Sequence, residues 1–268
     1  MMVMGFFMSK YLPAFLSLMI LAFPLFASEV TEAKAIRIQV DNVEREALVF
    51  LPNESKSKAP VVFVFHGHGG TAKNASKTFA IQKHWPAAIV VYMQGLNTPG
   101  KLTDPEGKKT GWQHKSGEQG DRDLKFFDGL LNHLKKEYRV DENRIYCTGH
   151  SNGGGFTYTL WQNRGDIFAA LAPCAGFALN FDAMPKPCIH FAGEKDPLVK
   201  LEWQQKTMDR VKKINGCDST GKEWAKYCTL FSSSKNTPLV ECIHPGTHQF
   251  PDIAPGLMVK FFQSHTRP

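Results

Sequence analysis

Arg144-Ile145-Tyr146-Cys147-Thr148-Gly149-His150-Ser151-Asn152-Gly153-Gly154-Gly155 is a short apolar run that meets a Gly-x-Ser-x-Gly pentapeptide and continues into a helix-like stretch. A strand that turns sharply into a helix holds its serine in a strained conformation with the hydroxyl exposed, and only residues without bulk fit beside it. Gly149, Gly153, Gly154 and Gly155 meet that need. The pentapeptide alone is a weak signal. Its place between a strand and a helix makes Ser151 the candidate nucleophile.

The flanking sequence gives the frame. Val61-Val62-Phe63-Val64-Phe65 and Ala88-Ile89-Val90-Val91-Tyr92 are continuous apolar runs of the kind buried on both faces of a parallel sheet, with a helical stretch near residues 75–85 between them. Residues 123–138 carry Leu124, Phe127, Leu131, Leu134 and Tyr138 at helical spacing. Further strands are expected near 168–172 and 188–192, and a helix near 202–214. At the start of this region, 36–40 and 43–51 flank the turn-like Asp41-Asn42 and read as an antiparallel hairpin at one sheet edge. Alternating strands and helices indicate an α/β domain with a mostly parallel sheet and helices on both faces. Such sheets place their sites at the carboxyl ends of the strands, where Ser151 stands.

A serine hydroxyl is a poor nucleophile at neutral pH and needs a histidine to take its proton and a carboxylate to orient that histidine. Both are sought after Ser151. The run Ile189-His190-Phe191-Ala192 ends in Gly193-Glu194-Lys195-Asp196-Pro197, and Asp196 is the expected acid with Glu194 as competitor. His248, in the loop after the run 239–243, is the expected base; His244 lies nearer the strand, and His265 is expected to be solvated. An oxyanion hole needs amide donors near the serine. His66-Gly67-His68-Gly69-Gly70 follows an apolar strand, so the backbone amides of His68 and Asn152 are assigned to that task. His66 and His68 could also be read as a metal pair, but without nearby carboxylates or cysteines they make a weak one, and no metal is expected.

The chain has 268 residues. Lys10, the apolar stretch 11–26 and the small residue Ala27 form the three parts of a secretory signal peptide over 1–27, leaving 28–268 as a single catalytic domain. Pro13 and Pro24 interrupt the apolar stretch, which is shorter than the roughly 20 residues of a spanning helix, so no stable membrane insertion is expected after cleavage. The product would be extracellular or periplasmic. The net charge of +7 comes from scattered lysines, which argues against a nucleic-acid partner.

Six cysteines are too few for a disulfide scaffold. Cys147 and Cys188 sit in apolar runs as small core residues. Cys228 and Cys242 lie on the runs 224–231 and 239–243, and a hairpin centred near Lys235 sets them opposite each other at bridging distance. Cys174 and Cys217 have no partner that the sequence identifies. Asn53-Glu54-Ser55 and Asn74-Ala75-Ser76 are glycosylation sequons.

Several segments together resemble the secreted esterase family of feruloyl esterases and polyhydroxybutyrate depolymerase-like proteins. They are His66-Gly67-x-Gly69-Gly70, Gly111-Trp112, Gly149-x-Ser151-Asn152-Gly153-Gly154, Gly193-x-x-Asp196-Pro197, Asn215-Gly216-Cys217 and Gly246-x-His248 followed by Pro251. The resemblance implies an α/β-hydrolase without a large lid, with Ser151, Asp196 and His248 as its triad and no metal or organic cofactor. Members often carry a small residue where His68 stands, and tryptophan near the catalytic histidine where this chain has Pro245, Thr247 and Phe250. The expected activity is hydrolysis of feruloyl, aryl or short-chain acyl esters through an acyl-enzyme. Alternatives are an oligomeric hydroxybutyrate depolymerase, a serine peptidase and a non-catalytic binding protein. Trp112, Phe177, Trp203 and Phe250 are candidates to line the acyl pocket, although large aromatics often belong to the core.

Overall fold

The structure is a computed structural model that describes residues 1–2, 32–52 and 57–267. Almost all of the expected signal peptide, and Asn53 of the first sequon, lie outside the described residues. Among the described residues no helix is long and apolar enough to cross a membrane.

The chain runs through β1 (Lys34–Val40), β2 (Val43–Phe50), β3 (Ala59–Phe65), α1 (Ala72–Thr78), α2 (Ile81–His84), β4 (Ile89–Met93), β5 (Leu96–Asn97), β6 (Thr110–Gly111) and α3 (Arg122–Glu137). It continues with β7 (Val140–His150), α4 (Asn152–Arg164), β8 (Ala170–Cys174), β9 (Cys188–Gly193), α5 (Leu201–Asn215), β10 (Lys222–Ala225), β11 (Cys228–Phe231), β12 (Leu239–His244) and α6 (Ala254–Gln263). Among the described residues, ten strands form one sheet in the order β1-β2-β4-β3-β7-β8-β9-β12-β11-β10. The pairings from β4 through β3, β7, β8 and β9 to β12 are parallel; β1–β2 and β2–β4 at one edge, and β12–β11 and β11–β10 at the other, are antiparallel.

The parallel strands are buried on both faces because their side chains alternate between two apolar layers. Val61, Phe63 and Phe65 of β3 face the layer that holds Leu124, Phe127 and Leu131 of α3, Phe156 of α4 and Met208 and Val211 of α5. Val62 and Val64 face the opposite layer, with Ala75 of α1, Ile81 of α2 and Met258 and Phe262 of α6. Helices thus cover both faces, as the strand and helix alternation implies, and the β1–β2 hairpin forms the expected edge.

Three local expectations change. The helical stretch near 75–85 is two short helices, broken at Ala80, whose φ of 46° is left-handed and cannot continue a helix. The run 224–231 is likewise two strands, because Tyr227 takes a φ of 64° and turns the chain between β10 and β11. His265 is not a solvated side chain: it is half-buried against the Phe261 ring, 4.3 Å between centroids, and its Nδ1 lies 2.8 Å from the Phe261 carbonyl.

Cys228 of β11 stands opposite Cys242 of β12 in the antiparallel register, and the two are joined as a disulfide. Cys147, Cys174, Cys188 and Cys217 are free thiols, the first three buried. Asn74 of the second sequon is exposed on α1, whereas Ser76 is buried.

Candidate active site

The turn from β7 into α4 has the geometry that the glycines imply. Ser151 adopts φ 56°, ψ −118°, a strained conformation for a residue with a side chain, and its amide donates to the Cys174 carbonyl at the end of β8. A Cβ on Gly149 would stand 2.3 Å from the Gly153 carbonyl oxygen, and one on Gly153 would stand 2.3 Å from that of Phe65. No larger residue fits at either position, so the first turn of α4 packs directly onto the ends of β3 and β7.

Three residues from three strand-end loops converge here. His248 Nε2 lies 2.8 Å from the Ser151 hydroxyl, and His248 Nδ1 lies 2.7 Å from Asp196 Oδ2. Asp196 is buried in the loop after β9, and its Oδ1 accepts the amides of Leu198 and Val199, each at 2.9 Å. Glu194 is exposed two residues earlier, its amide spent on the His244 carbonyl. His244 closes β12, and its Nδ1 accepts the Gly246 amide. Of the acids and histidines weighed from the sequence, the structure brings Asp196 and His248 to Ser151.

The loop 66–70 is held rigid from several sides. Burial keeps His66 below the ordinary histidine range, so its ring is neutral; Nδ1–H donates to the Gly67 carbonyl at 2.8 Å and Nε2 accepts the Gly95 amide at 3.0 Å. The Gly70 amide also donates to Gly67, the Gly69 amide donates to Thr110, and the Thr110 hydroxyl donates to Gly70. The His68 ring is fixed through Nε2, 3.0 Å from Asp104 Oδ2. The two imidazoles therefore serve hydrogen bonds within the loop and its neighbours. Among the described residues, neither the His68 nor the Asn152 amide is taken by a protein acceptor.

The four aromatics separate. Trp112 is fully buried, stacked on Phe156 and edge-on to Phe65, with its indole N–H donating to the His66 carbonyl at 2.8 Å. Its ring belongs to the core beneath the His66 carbonyl and offers no exposed surface to an acyl group. Phe250 is half-buried against Phe79, 4.1 Å between centroids, and edge-on to His150. Phe177, after β8, and Trp203, in the first turn of α5, form a half-buried pair 5.6 Å apart, with the Lys200 ammonium 5.8 Å from the Trp203 ring.

Several participants carry no sequence signal. The Asn152 carboxamide grips the Trp112 peptide: Oδ1 accepts its N–H at 2.7 Å and Nδ2 donates to its carbonyl at 3.0 Å. His150, the variable residue of the pentapeptide, has its Nε2 2.7 Å from the His248 carbonyl and its ring 5.0 Å from that of His248. Burial pushes His150 down to about 4, so the ring is neutral and Nε2–H is the donor. Gln113 joins this framework to a buried ion pair: its amide donates to Asp123 Oδ2, and Asp123 Oδ1 accepts Arg45 Nη2 at 2.9 Å.

The chain is similar to known proteins over part of its length. Residues 106–229 match the prolyl oligopeptidase family. Over 170 residues, 60% of its length, the chain is 36% identical to 22% of the bifunctional acetylxylan esterase/xylanase XynS20E of Neocallimastix patriciarum. Over 122 residues, 44% of its length, it is 30% identical to 41% of feruloyl esterase D of Neurospora crassa. The chain thus spans less than half the length of either relative. The solved acetyl xylan esterase from Aspergillus awamori superposes with a TM-score of 0.65 at 12% identity, over 82% of this chain and 94% of that one, which is a likeness of fold.

Proposed function

We propose that this chain, which has the α/β-hydrolase fold and is similar over part of its length to feruloyl and acetylxylan esterases, is an exported serine carboxylic-ester hydrolase. The observation that carries the reading is the unbroken contact from Asp196 through His248 to the Ser151 hydroxyl, 2.7 Å and 2.8 Å. Ser151 Oγ attacks the ester carbonyl carbon as His248 Nε2 takes its proton, and Asp196 orients the ring and stabilises the imidazolium. The carbonyl oxygen gathers negative charge between the amides of His68 and Asn152. Collapse of the adduct expels the alcohol, which receives the proton from His248. A water, deprotonated by the same histidine, then releases the acid and restores Ser151.

Residues 28–268 act as one catalytic domain, delivered outside the cytoplasm by the segment 1–27. The half-buried Phe177–Trp203 pair suits a flat acyl or aryl group, which favours feruloyl, aryl or short acyl esters over the oligomeric hydroxybutyrates. Comparing turnover of short p-nitrophenyl esters, methyl ferulate and a hydroxybutyrate oligomer tests this: turnover confined to the oligomer contradicts the substrate class, and no turnover of any ester contradicts the activity.

The match of residues 106–229 to the prolyl oligopeptidase family favours a second reading, amide hydrolysis at the same serine. A matched ester and p-nitroanilide of one acyl group separate the two. The amide reading expects turnover of the p-nitroanilide as well as the ester, whereas the ester reading expects turnover of the ester alone.

A further inference from the structure

Asp196 is the near end of a hydrogen-bond chain that leads away from the serine into the core. Its Oδ2, which meets His248, also lies 3.4 Å from Gln204 Nε2. The same Gln204 nitrogen donates to the Val199 carbonyl at 2.7 Å, and Gln204 Oε1 lies 3.0 Å from His190 Nε2. His190 Nδ1 is 2.7 Å from the Tyr158 hydroxyl. Tyr158 of α4, His190 of β9 and Gln204 of α5 are all buried, so none of these groups falls back on bulk water.

One arrangement of protons satisfies them all. The Val199 carbonyl and an ionised Asp196 only accept, so the Gln204 amide must turn its NH2 toward both and its Oε1 toward His190. His190 Nε2 then carries the hydrogen. Burial pushes His190 down to about 4, so the ring is neutral and the bare Nδ1 accepts from Tyr158. Turning the amide over would set oxygen against oxygen at Val199 and Asp196 and leave two donors facing each other at His190, each a costly defect when buried.

We propose that Gln204 is a positioning residue for the triad acid, held in a single orientation by His190 and Tyr158. The proposal rests on the esterase reading above. The Gln204 amide ties the loop between Asp196 and Val199 into one unit and fixes the oxygen that receives the His248 N–H.

Gln204→Met keeps the length and burial of the side chain while removing donor and acceptor; Tyr158→Phe breaks only the far end. Gln204→Met is expected to lower kcat about ten- to a hundredfold with KM within about twofold, a smaller loss than the roughly 10⁴-fold cost of neutralising a triad carboxylate. The far-downfield proton resonance of the His248–Asp196 hydrogen bond should shift or broaden. Tyr158→Phe should cost about two- to fivefold in kcat, and nothing further in the Gln204→Met background, since Tyr158 reaches Asp196 only through Gln204. A Gln204→Met protein with lowered thermal stability but unchanged kcat and resonance overturns the proposal, as do fully additive losses in the double variant. If Gln204→Met does not fold, Tyr158→Phe decides by the same resonance: a shift supports the chain, an unmoved signal overturns it. The resonance is read without substrate, so a protein that hydrolyses no ester counts against the esterase reading and not against this one.

Discussion

The Asn152 side chain and the Trp112 peptide form a two-way clamp, with Oδ1 accepting and Nδ2 donating across a separation of 40 residues. The clamp fixes the first residue of α4, whose own amide is one of the two proposed oxyanion donors. Removing an oxyanion donor outright costs about 10²–10³ in kcat, and Asn152→Ala keeps the amide but frees it. A loss of about ten- to a hundredfold in kcat with KM nearly unchanged is expected. Weaker binding of a boronic acid that forms a tetrahedral adduct should accompany it; unchanged boronate affinity would argue that the clamp only supports the fold.

His150 and His190 predict a stability that depends on pH. His190 is buried and His150 half-buried, and both are pushed down to about 4 by loss of water around the ring, against about 6.5 in an unfolded chain. Between these values the unfolded chain binds more protons, so stability rises with pH through the window, is complete above about 6.5 and is lost as pH falls toward 4. Each ring accounts for on the order of 3 kcal/mol. Urea midpoints measured from pH 7 to pH 4 should fall, and less steeply in His190→Gln than in the parent. Parallel curves for the two proteins would remove His190 from the account.

Cys228 and Cys242 are bridged across a sequence separation of 14. Closing so short a loop stabilises by roughly 2–3 kcal/mol in the chain-entropy picture. The double variant Cys228→Ala/Cys242→Ala should therefore unfold at lower denaturant, and unreduced peptide mapping of the parent should recover the pair. Two free thiols, or either joined to Cys217, would refute the bridge.

The strands and helices were legible because burial on both faces leaves continuous apolar runs, as in β3 and β4, and because α3 spaces its leucines at helical period. The breaks at Ala80 and Tyr227 were not, since a left-handed residue other than glycine leaves no compositional mark. The meeting of Ser151, Asp196 and His248 followed from chain order and strand ends. Trp112 stays open in sequence between the acyl pocket and the core, because an aromatic beside a loop motif looks the same in either place; its complete burial assigns it to the core. Gln204, His190 and Tyr158 are unremarkable in sequence, because their meeting depends on three elements brought together by packing.

Asp196 and Glu194 stand two residues apart, one buried on His248 and the other exposed. Asp196→Asn should lower kcat by about three to four powers of ten with little change in stability, because the imidazole loses its orienting charge. Glu194→Gln should change kcat less than about tenfold. The reverse pattern would move the acid to Glu194, and two mild effects would dismiss the triad.

The central claim is that the Ser151 hydroxyl is the nucleophile. Labelling with a serine-reactive phosphonate, followed by mass mapping and ester turnover on the same sample, reads it directly. One adduct per chain on the Ser151 peptide, loss of turnover in proportion to labelling, and neither label nor turnover in Ser151→Ala is the expected result. A cleanly prepared, folded Ser151→Ala protein that keeps more than about a few per cent of parental activity, against the several powers of ten that a lost triad member costs, would contradict it.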